Sequence, residues 1–399
     1  MRILYVAPGT PVPGSHGGST HTLEVARGLS SFGDKVFLVS KRESFGQEKK
    51  ETLAGIEINR VLPVIPRKLL EWLALPSIYR LAKKIKPDVI LERYYNFGGG
   101  GIITGTLLKI PSVVEVISPV VDHPGSIKGI IDRLLIIRPM KRYREWLLRK
   151  SEAIISPIRE ILPEKLPETK IHLLHTGANL AMFSPEGYRK EKERRKLGID
   201  KDQVVVTFLG SFRRWHGVLD FIEAGKKVLS SGKKEAFFLM VGSGPLYRKG
   251  RELVSKSPFR DNFIFLGSVP YDDVPSLLSA SDIGVAPFNS KGFPSLKLGF
   301  YWSPLKVFEY LAMGLPVITI DIPPLNEMVR DNEEGLLYPE GDIPALADKI
   351  SYLIENKEDR RRMGESARAR SPIFSWESQT KKIAGILKKV VKDANTDNH

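Results

Sequence analysis

A chain of 399 residues, 42% hydrophobic and 27% charged, is too long for one ordinary core and too apolar for disorder, so two folded domains are expected. The absence of cysteine excludes disulfide frameworks, thiolate metal sites and cysteine nucleophiles. A net charge of +15 points to an anionic partner and is uneven: residues 1–190 carry 29 Lys and Arg against 18 Asp and Glu, the remainder 32 against 28.

The opening run Ile3–Ala7 is too short, and too soon broken by Pro8, for a signal peptide or a membrane span, and it reads as a first buried strand. Short apolar runs then alternate with amphipathic stretches, the pattern of parallel strands joined by crossover helices. Strands are predicted at Val36–Ser40, Val89–Glu92, Val113–Ile117, Ala153–Ser156 and Ile171–Leu174, with helices starting near Ser19, Lys68, Gly98 and Ile127. Between Ala178 and Asp200 the apolar period is lost, and Ser184-Pro185-Glu186-Gly187 with the charge run Arg189–Lys196 marks a linker. The pattern resumes with strands at Val204–Leu209, Phe237–Val241, Phe263–Leu266, Ile283–Pro287, Val317–Ile320 and Gly335–Tyr338. It ends in helices at Ile343–Asn356, Glu358–Arg370 and Trp376–Lys392. The fold class is α/β, with two doubly wound Rossmann-like domains.

Four strand-end loops carry candidate chemistry. The first, Pro8–Thr20, contains Gly17-Gly18 and runs into a helix for which Ser19 is the expected N-cap. Its glycines let backbone N–H groups approach a phosphate, but it lacks the G-x-G-x-x-G spacing of dinucleotide sites, and a plain tight turn is the alternative. The second, Leu209–Gly217, holds Arg213, Arg214 and His216; arginine's planar fork suits a diphosphate, against the alternative of an exposed basic turn. The third is Val241-Gly242-Ser243-Gly244-Pro245.

The fourth is an irregular stretch ending at Ser303-Pro304, which predicts a helix start with Ser303 as N-cap and Pro304 at the first helical position. Lys306 in the first turn brings a cation to a phosphate there, and Glu309, on the same helical face, can accept both hydroxyls of a ribose. The plain alternative is an exposed i, i+3 ion pair worth about 0.2–0.5 kcal/mol. Position favours ligand binding: open parallel sheets bind at strand ends. No His/Asp/Glu cluster has metal-ligand spacing, so cations and helix N-termini would have to meet any leaving-group charge.

In order along the chain, Thr176-Gly177-Ala178-Asn179 with Phe183 and Pro185, Gly210 with His216-Gly217, Val241–Pro245, Leu266-Gly267-Ser268-Val269, Ser281-Asp282-Ile283, Phe308–Ile318, Glu327 and Gly335 resemble the landmarks of family 4 glycosyltransferases of the GT-B type. The resemblance implies a nucleotide-diphosphate sugar as donor, retention of anomeric configuration, and no metal or other cofactor, and leaves open whether the acceptor is a sugar or a lipid-linked one. It also implies two domains facing across a cleft: residues 1–185 plus a helix at 376–399 that crosses back, and residues 186–375. Glu309 matches the family's ribose-binding glutamate, Lys306 a phosphate-binding lysine of one subgroup, the backbone near Val269 the base contact, and Gly17-Gly18 the glycine loop that closes on the phosphates. Three positions depart from the pattern. The partner glutamate falls at Tyr301; the arginine and lysine of the second loop fall at Ser211 and His216, leaving Arg213 or Arg214 to substitute; and a histidine falls at Ile117, leaving Glu115, Asp122 and His123 as stand-ins.

Catalysis is accordingly assigned to Glu115, His123 and Lys306, and donor binding to Gly17, Gly18, Arg213, Arg214, His216, Gly242, Val269, Ser303, Lys306 and Glu309. The stretch Ile127–Lys150 interleaves eight Lys and Arg with Ile130, Ile131, Leu134 to Ile137, Trp146 and Leu147, and Leu69, Leu70, Trp72, Leu73 and Leu75 could extend its apolar face. Such a face suits an anionic membrane and a lipid-linked acceptor, with the protein cytoplasmic or peripheral on the inner face of the cell membrane; the alternative is an ordinary core with solvated charges. A soluble transferase making a small glycoside and an NAD-dependent oxidoreductase are the competing readings. A nucleic-acid partner is not expected, because no recognition module is present.

Overall fold

The computed structural model describes residues 1–14, 17–62, 68–94, 98–121, 138–293, 296, 298–301 and 304–396, and divides into two units. In the first, strands β1 (Arg2–Pro11), β2 (Lys35–Lys41), β3 (Lys50–Leu53), β4 (Ile56–Leu62), β5 (Val89–Tyr94), β6 (Ser112–Val116), β7 (Ala153–Ser156) and β8 (Ile171–Leu173) form one sheet. Its order is β3-β4-β2-β1-β5-β6-β7-β8. All pairings are parallel except β3 with β4. Helices α1 (Gly17–Ser31), α2 (Leu75–Ile85), α3 (Gly100–Leu108) and α4 (Arg138–Lys150) connect the strands.

The apolar runs Ile3–Ala7 of β1 and Val89–Leu91 of β5 follow from their central position, where both faces are covered. Leu4, Val6 and Ile90 pack with Ala74, Ile78 and Ala82 beside and within α2. Tyr5, turned to the opposite face by strand alternation, meets Glu115 of β6.

The sequence reading does not include β3 and β4. Lys50–Leu53 is polar and largely exposed, and β4 alternates buried and half-buried residues as an outer strand does. Ala54 and Gly55 both take positive φ, +50° and +78°, the geometry of a two-residue hairpin turn without its usual Asn-Gly or Asp-Gly signature. The helix expected from Lys68 is a 3₁₀ segment, Lys68–Ala74, that becomes α-helical at Leu75. The proline at position 76 falls early in α2, where a missing N–H is tolerated.

In the second unit β9 (Val204–Leu209), β10 (Ala236–Val241), β11 (Phe263–Gly267), β12 (Ile283–Ala286), β13 (Val317–Ile320) and β14 (Gly335–Tyr338) form an all-parallel sheet in the order β11-β10-β9-β12-β13-β14. Its helices are α5 (Lys190–Lys196), α6 (Val218–Ser230), α7 (Tyr247–Ser255), α8 (Val274–Ser279), α9 (Leu305–Ala312), α10 (Leu325–Met328), α11 (Ile343–Glu355) and α12 (Lys357–Arg370). Chain order reverses between β1 and β5 in one sheet and between β9 and β12 in the other. Such switch points open a crevice at strand C-termini, where ligands bind in open α/β sheets.

The last helix, α13 (Trp376–Thr396), belongs to the first unit, which comprises Met1–Thr176, Tyr301 and the chain from Trp376 onward. It lies against α1 so closely that a Cβ on Gly28 would stand 2.7 Å from the Thr380 side chain. The second unit begins at Gly177, ahead of residue 186, because Ala178 bonds the Phe374 carbonyl at 2.8 Å and Phe183 is fully buried within that unit.

Candidate active site

In the second unit, glycine backbones at the ends of β9 and β10 nest into one another. Gly210 and Gly242 have φ of +129° and +127°, and a Cβ on Gly242 would stand 2.1 Å from the Gly210 carbonyl oxygen. Only glycine allows this approach. The nest is tied by Gly210 N–H to the Val241 carbonyl (2.9 Å), Phe212 N–H to the Ser243 carbonyl (2.9 Å) and Gly242 N–H to the Gly267 carbonyl (2.8 Å).

Helix α9 enters this arrangement from the other side of the switch point. Its N-cap position is Pro304, and helical geometry begins at Leu305, one residue later than the expected start. Ser303, the expected cap, lies outside the described residues; the Pro304 carbonyl accepts Val307 N–H at 2.8 Å. The helix is pinned by Tyr310, whose hydroxyl accepts Leu209 N–H at 2.8 Å and whose ring fills the space a side chain at Gly284 would need.

Lys306 and Glu309 are therefore buried, not an exposed pair. The Lys306 ammonium lies 3.0 Å from where a Gly210 Cβ would stand, over the rings of Phe208 (4.3 Å) and Phe288 (5.0 Å), and it makes no hydrogen bond among the described residues. Burial lowers its pKa to about 7, with Glu309 opposing. Glu309 accepts the Tyr271 hydroxyl at 2.9 Å; burial lifts its pKa to about 7 against that hydrogen bond and the Lys306 charge.

His216 sits on the same loop as Gly210. Burial, then the charges of Lys306 and Arg213, take its pKa down to about 2, so it is a neutral imidazole at physiological pH. Arg213 and Arg214 are exposed, with Arg213 5.2 Å from the Trp215 ring and that ring 4.6 Å from Phe293. Val269 is half-buried in the loop after β11, two residues before Tyr271. The structure thus brings Gly210, Gly242, His216 and Lys306 together and places Glu309 one helical turn on. Among the described residues no group of three or more His, Asp and Glu could hold a metal ion.

The first unit holds a second polar cluster beneath α1. Gly17 opens that helix, so Ser19 lies in its first turn and is buried, where the sequence suggested a cap. Arg93, at the end of β5, donates through Nη1 to the Gly18 carbonyl and to Thr22 Oγ1, both at 2.6 Å. Glu115 is buried with Oε1 2.5 Å from His21 Nε2 and Oε2 accepting the Tyr5 hydroxyl at 3.1 Å. Burial disfavours its charge, but His21, Arg93 and Tyr5 together hold its pKa below the ordinary value. Burial lowers the pKa of His21, with the Glu115 charge opposing. Trp376 of α13 meets the His21 ring edge-on at 5.1 Å.

Glu115 therefore has both oxygens occupied, while His123 and Asp122 lie outside the described residues. His21, Arg93, Tyr5 and Tyr271 are absent from the sequence reading. The available signals are Glu92-Arg93 inside an otherwise apolar strand and a histidine one turn beyond Gly17. In the basic stretch, residues 127–137 lie outside the described set, Leu147 is fully buried, and Trp146 is 41% exposed beside Tyr143. The side chains of Leu69 and Leu70 also lie outside that set, Trp72 (59%) and Leu73 (43%) are exposed, and Leu75 is half-buried.

Residues 15–182 match the family described as Glycosyltransferase Family 4, and residues 189–370 match that described as Glycosyl transferases group 1. The chain belongs to the family 4 type of GT-B glycosyltransferases. Like them, it is a nucleotide-sugar-dependent glycosyltransferase, which sets aside the oxidoreductase reading. This glycosyltransferase is 22% identical to the alpha-D-kanosaminyltransferase of Streptomyces kanamyceticus, over 78% of its own length and 81% of that protein. It is 24% identical to the UDP-Gal:alpha-D-GlcNAc-diphosphoundecaprenol alpha-1,3-galactosyltransferase of Escherichia coli, over 71% of its own chain and 70% of the other. Its fold superposes on that of Anabaena HepE in complex with UDP, with a TM-score of 0.74, 17% identity, and coverage of 98% and 100% of the two chains.

Proposed function

We propose that this glycosyltransferase moves a sugar from a nucleoside-diphosphate sugar to an acceptor hydroxyl with retention of anomeric configuration and without a metal. The observation that carries the reading is Lys306, a buried ammonium without a hydrogen-bond acceptor among the described residues, held against the Gly210–Gly242 nest. A diphosphate there supplies the missing acceptor. Glu309 takes the ribose hydroxyls, the backbone near Val269 the base, and Arg213 or Arg214, with the N-terminus of α9, the remaining phosphate charge. As the bond from the anomeric carbon to the diphosphate oxygen breaks, these groups stabilise the leaving charge. The acceptor oxygen bonds that carbon from the same face, and its proton passes to the departing phosphate. Neutral His216 can donate to a phosphate oxygen without adding charge beside Lys306.

For the acceptor, exposed Trp72, Leu73 and Trp146 on a strongly basic unit support a lipid-linked substrate reached at an anionic membrane face, with the protein peripheral on its inner side. The Escherichia coli relative's diphosphoundecaprenol acceptor is of this kind. Among the described residues no helix is long and apolar enough to cross a membrane. The 2-deoxystreptamine N-acetyl-D-glucosaminyltransferase of Streptomyces fradiae, whose name gives a small acceptor, favours a second reading, a small soluble glycoside.

Transfer and hydrolysis assayed over a panel of UDP-, GDP- and ADP-sugars, with and without a chelator, test the donor and metal assignments, and the anomeric configuration of the product read by NMR tests retention. An inverted anomer or activity abolished by the chelator overturns the corresponding part. Flotation with phosphatidylglycerol vesicles against phosphatidylcholine vesicles separates the two acceptor readings: equal partition favours the soluble glycoside.

A further inference from the structure

Tyr271 opens the 3₁₀ turn Tyr271–Asp273 that follows β11. Its ring packs on the fully buried Phe183 at 5.7 Å, which fixes where the hydroxyl falls. That hydroxyl donates to Glu309 Oε1 at 2.9 Å, while Oε2 carries no hydrogen bond among the described residues. A carboxylate on a helix can rotate about its last bonds; a fixed donor on one oxygen sets the plane of the group and the direction of its remaining lone pairs. The donor is neutral, so it does not cancel the charge of the ionised carboxylate, whereas an ammonium in the same place would. Lys306, one turn away, is turned instead toward the glycine nest.

We propose that Tyr271 is a positioning residue for nucleotide recognition, orienting Glu309 so that its free oxygen meets the ribose diol. The inference rests on the reading of Glu309 as the ribose carboxylate. It makes Tyr271 a determinant of ribose against deoxyribose selectivity, although its own hydroxyl touches protein and not ligand. A hydrogen bond to a charged group is worth enough that its loss is expected to weaken binding ~10-fold.

The test uses whichever of UDP, ADP and GDP binds the wild-type chain most tightly by calorimetry, together with the 2′,3′-dideoxy form of that nucleotide. Tyr271→Phe keeps the ring on Phe183 and removes only the hydroxyl. It is expected to lose ~10-fold in affinity for the ribonucleotide and less than ~2-fold for the dideoxy form. Equal loss on both ligands, or no loss on either, overturns the positioning role. Glu309→Gln on the same pair tests the underlying reading separately: equal loss on both ligands there shows that Glu309 does not address the ribose at all. The pH profile gives a second readout that simple packing damage would not move. Removing a donor to the ionised carboxylate raises the pH below which ribonucleotide affinity falls, so the acid limb moves upward in Tyr271→Phe; an unmoved limb counts against the proposal.

Discussion

The two units each bury a cation near a glycine-bearing strand end, and they treat it in opposite ways. Arg93 spends its guanidinium on the Gly18 carbonyl and Thr22, with its charge facing Glu115. Lys306 is equally buried and its ammonium makes no hydrogen bond among the described residues, leaving it over two aromatic rings with its charge disfavoured. Burying a charge without hydrogen-bonded partners costs stability, and proteins retain such groups where a ligand completes them. Arg93 is met through Nη1 by the scaffold, and Lys306 is the cation that the proposed diphosphate would meet.

That contrast breaks first at Arg93. Arg93→Met leaves Glu115 buried without its facing cation and frees the Gly18 carbonyl, so unfolding free energy by urea titration is expected to fall by about 3–5 kcal/mol. A loss within the ordinary surface range would remove the distinction between the two cations. Lys306→Met should behave in the reverse manner: kcat falls ~100- to 1000-fold, as for a lost charge-stabilising donor, with the melting temperature equal to or above that of wild type. Destabilisation by Lys306→Met would place it among the scaffold residues.

A smaller effect sharpens the comparison through pH. Glu309, raised to about 7 when folded from an unfolded value near 4.5, makes the folded state hold the extra proton between those values, so stability falls as pH rises through that window. Lys306, lowered to about 7 from near 10.5, makes the unfolded state hold the extra proton from about 7 upward, so stability rises again there. The unliganded protein is thus expected to show a shallow stability minimum near neutrality. Lys306→Met removes the alkaline rise and Glu309→Gln the acid fall, checked by difference from wild type in thermal unfolding. The smallest effect is at Thr22: Thr22→Val takes an acceptor from Arg93 and should cost about 1 kcal/mol, with little change in nucleotide affinity.

The sheet strands at both switch points were legible because they are continuous apolar runs, and Lys306 and Glu309 because two charges interrupt an apolar helix at a strand end. The polar outer pair β3 and β4 was not, since its burial is partial and its turn uses Ala54-Gly55. The helix start shifted from Ser303-Pro304 to Leu305, a boundary of one residue that composition cannot fix. His21 with Glu115 and Tyr271 with Glu309 escaped for a different reason. Each pair is separated by tens of residues and is defined by the contact between its members, which no local spacing encodes. Arg93 is the intermediate case: a charge in a buried strand announces a partner but not its address, here the carbonyl of Gly18.

Helix α13 completes a unit whose other strands and helices are translated first, with all of the second unit between them. During synthesis, the face of α1 that carries His21 and Gly28 must wait for Trp376 and Thr380, which emerge only after Gly177–Ser375. The second unit's sheet is ready to close as soon as β14 is made, while the first stays open at α1 until the last helix arrives. A ribosome-stalled chain ending at Ser375 would therefore expose an apolar seam on the first unit, the surface a nascent-chain chaperone is built to cover.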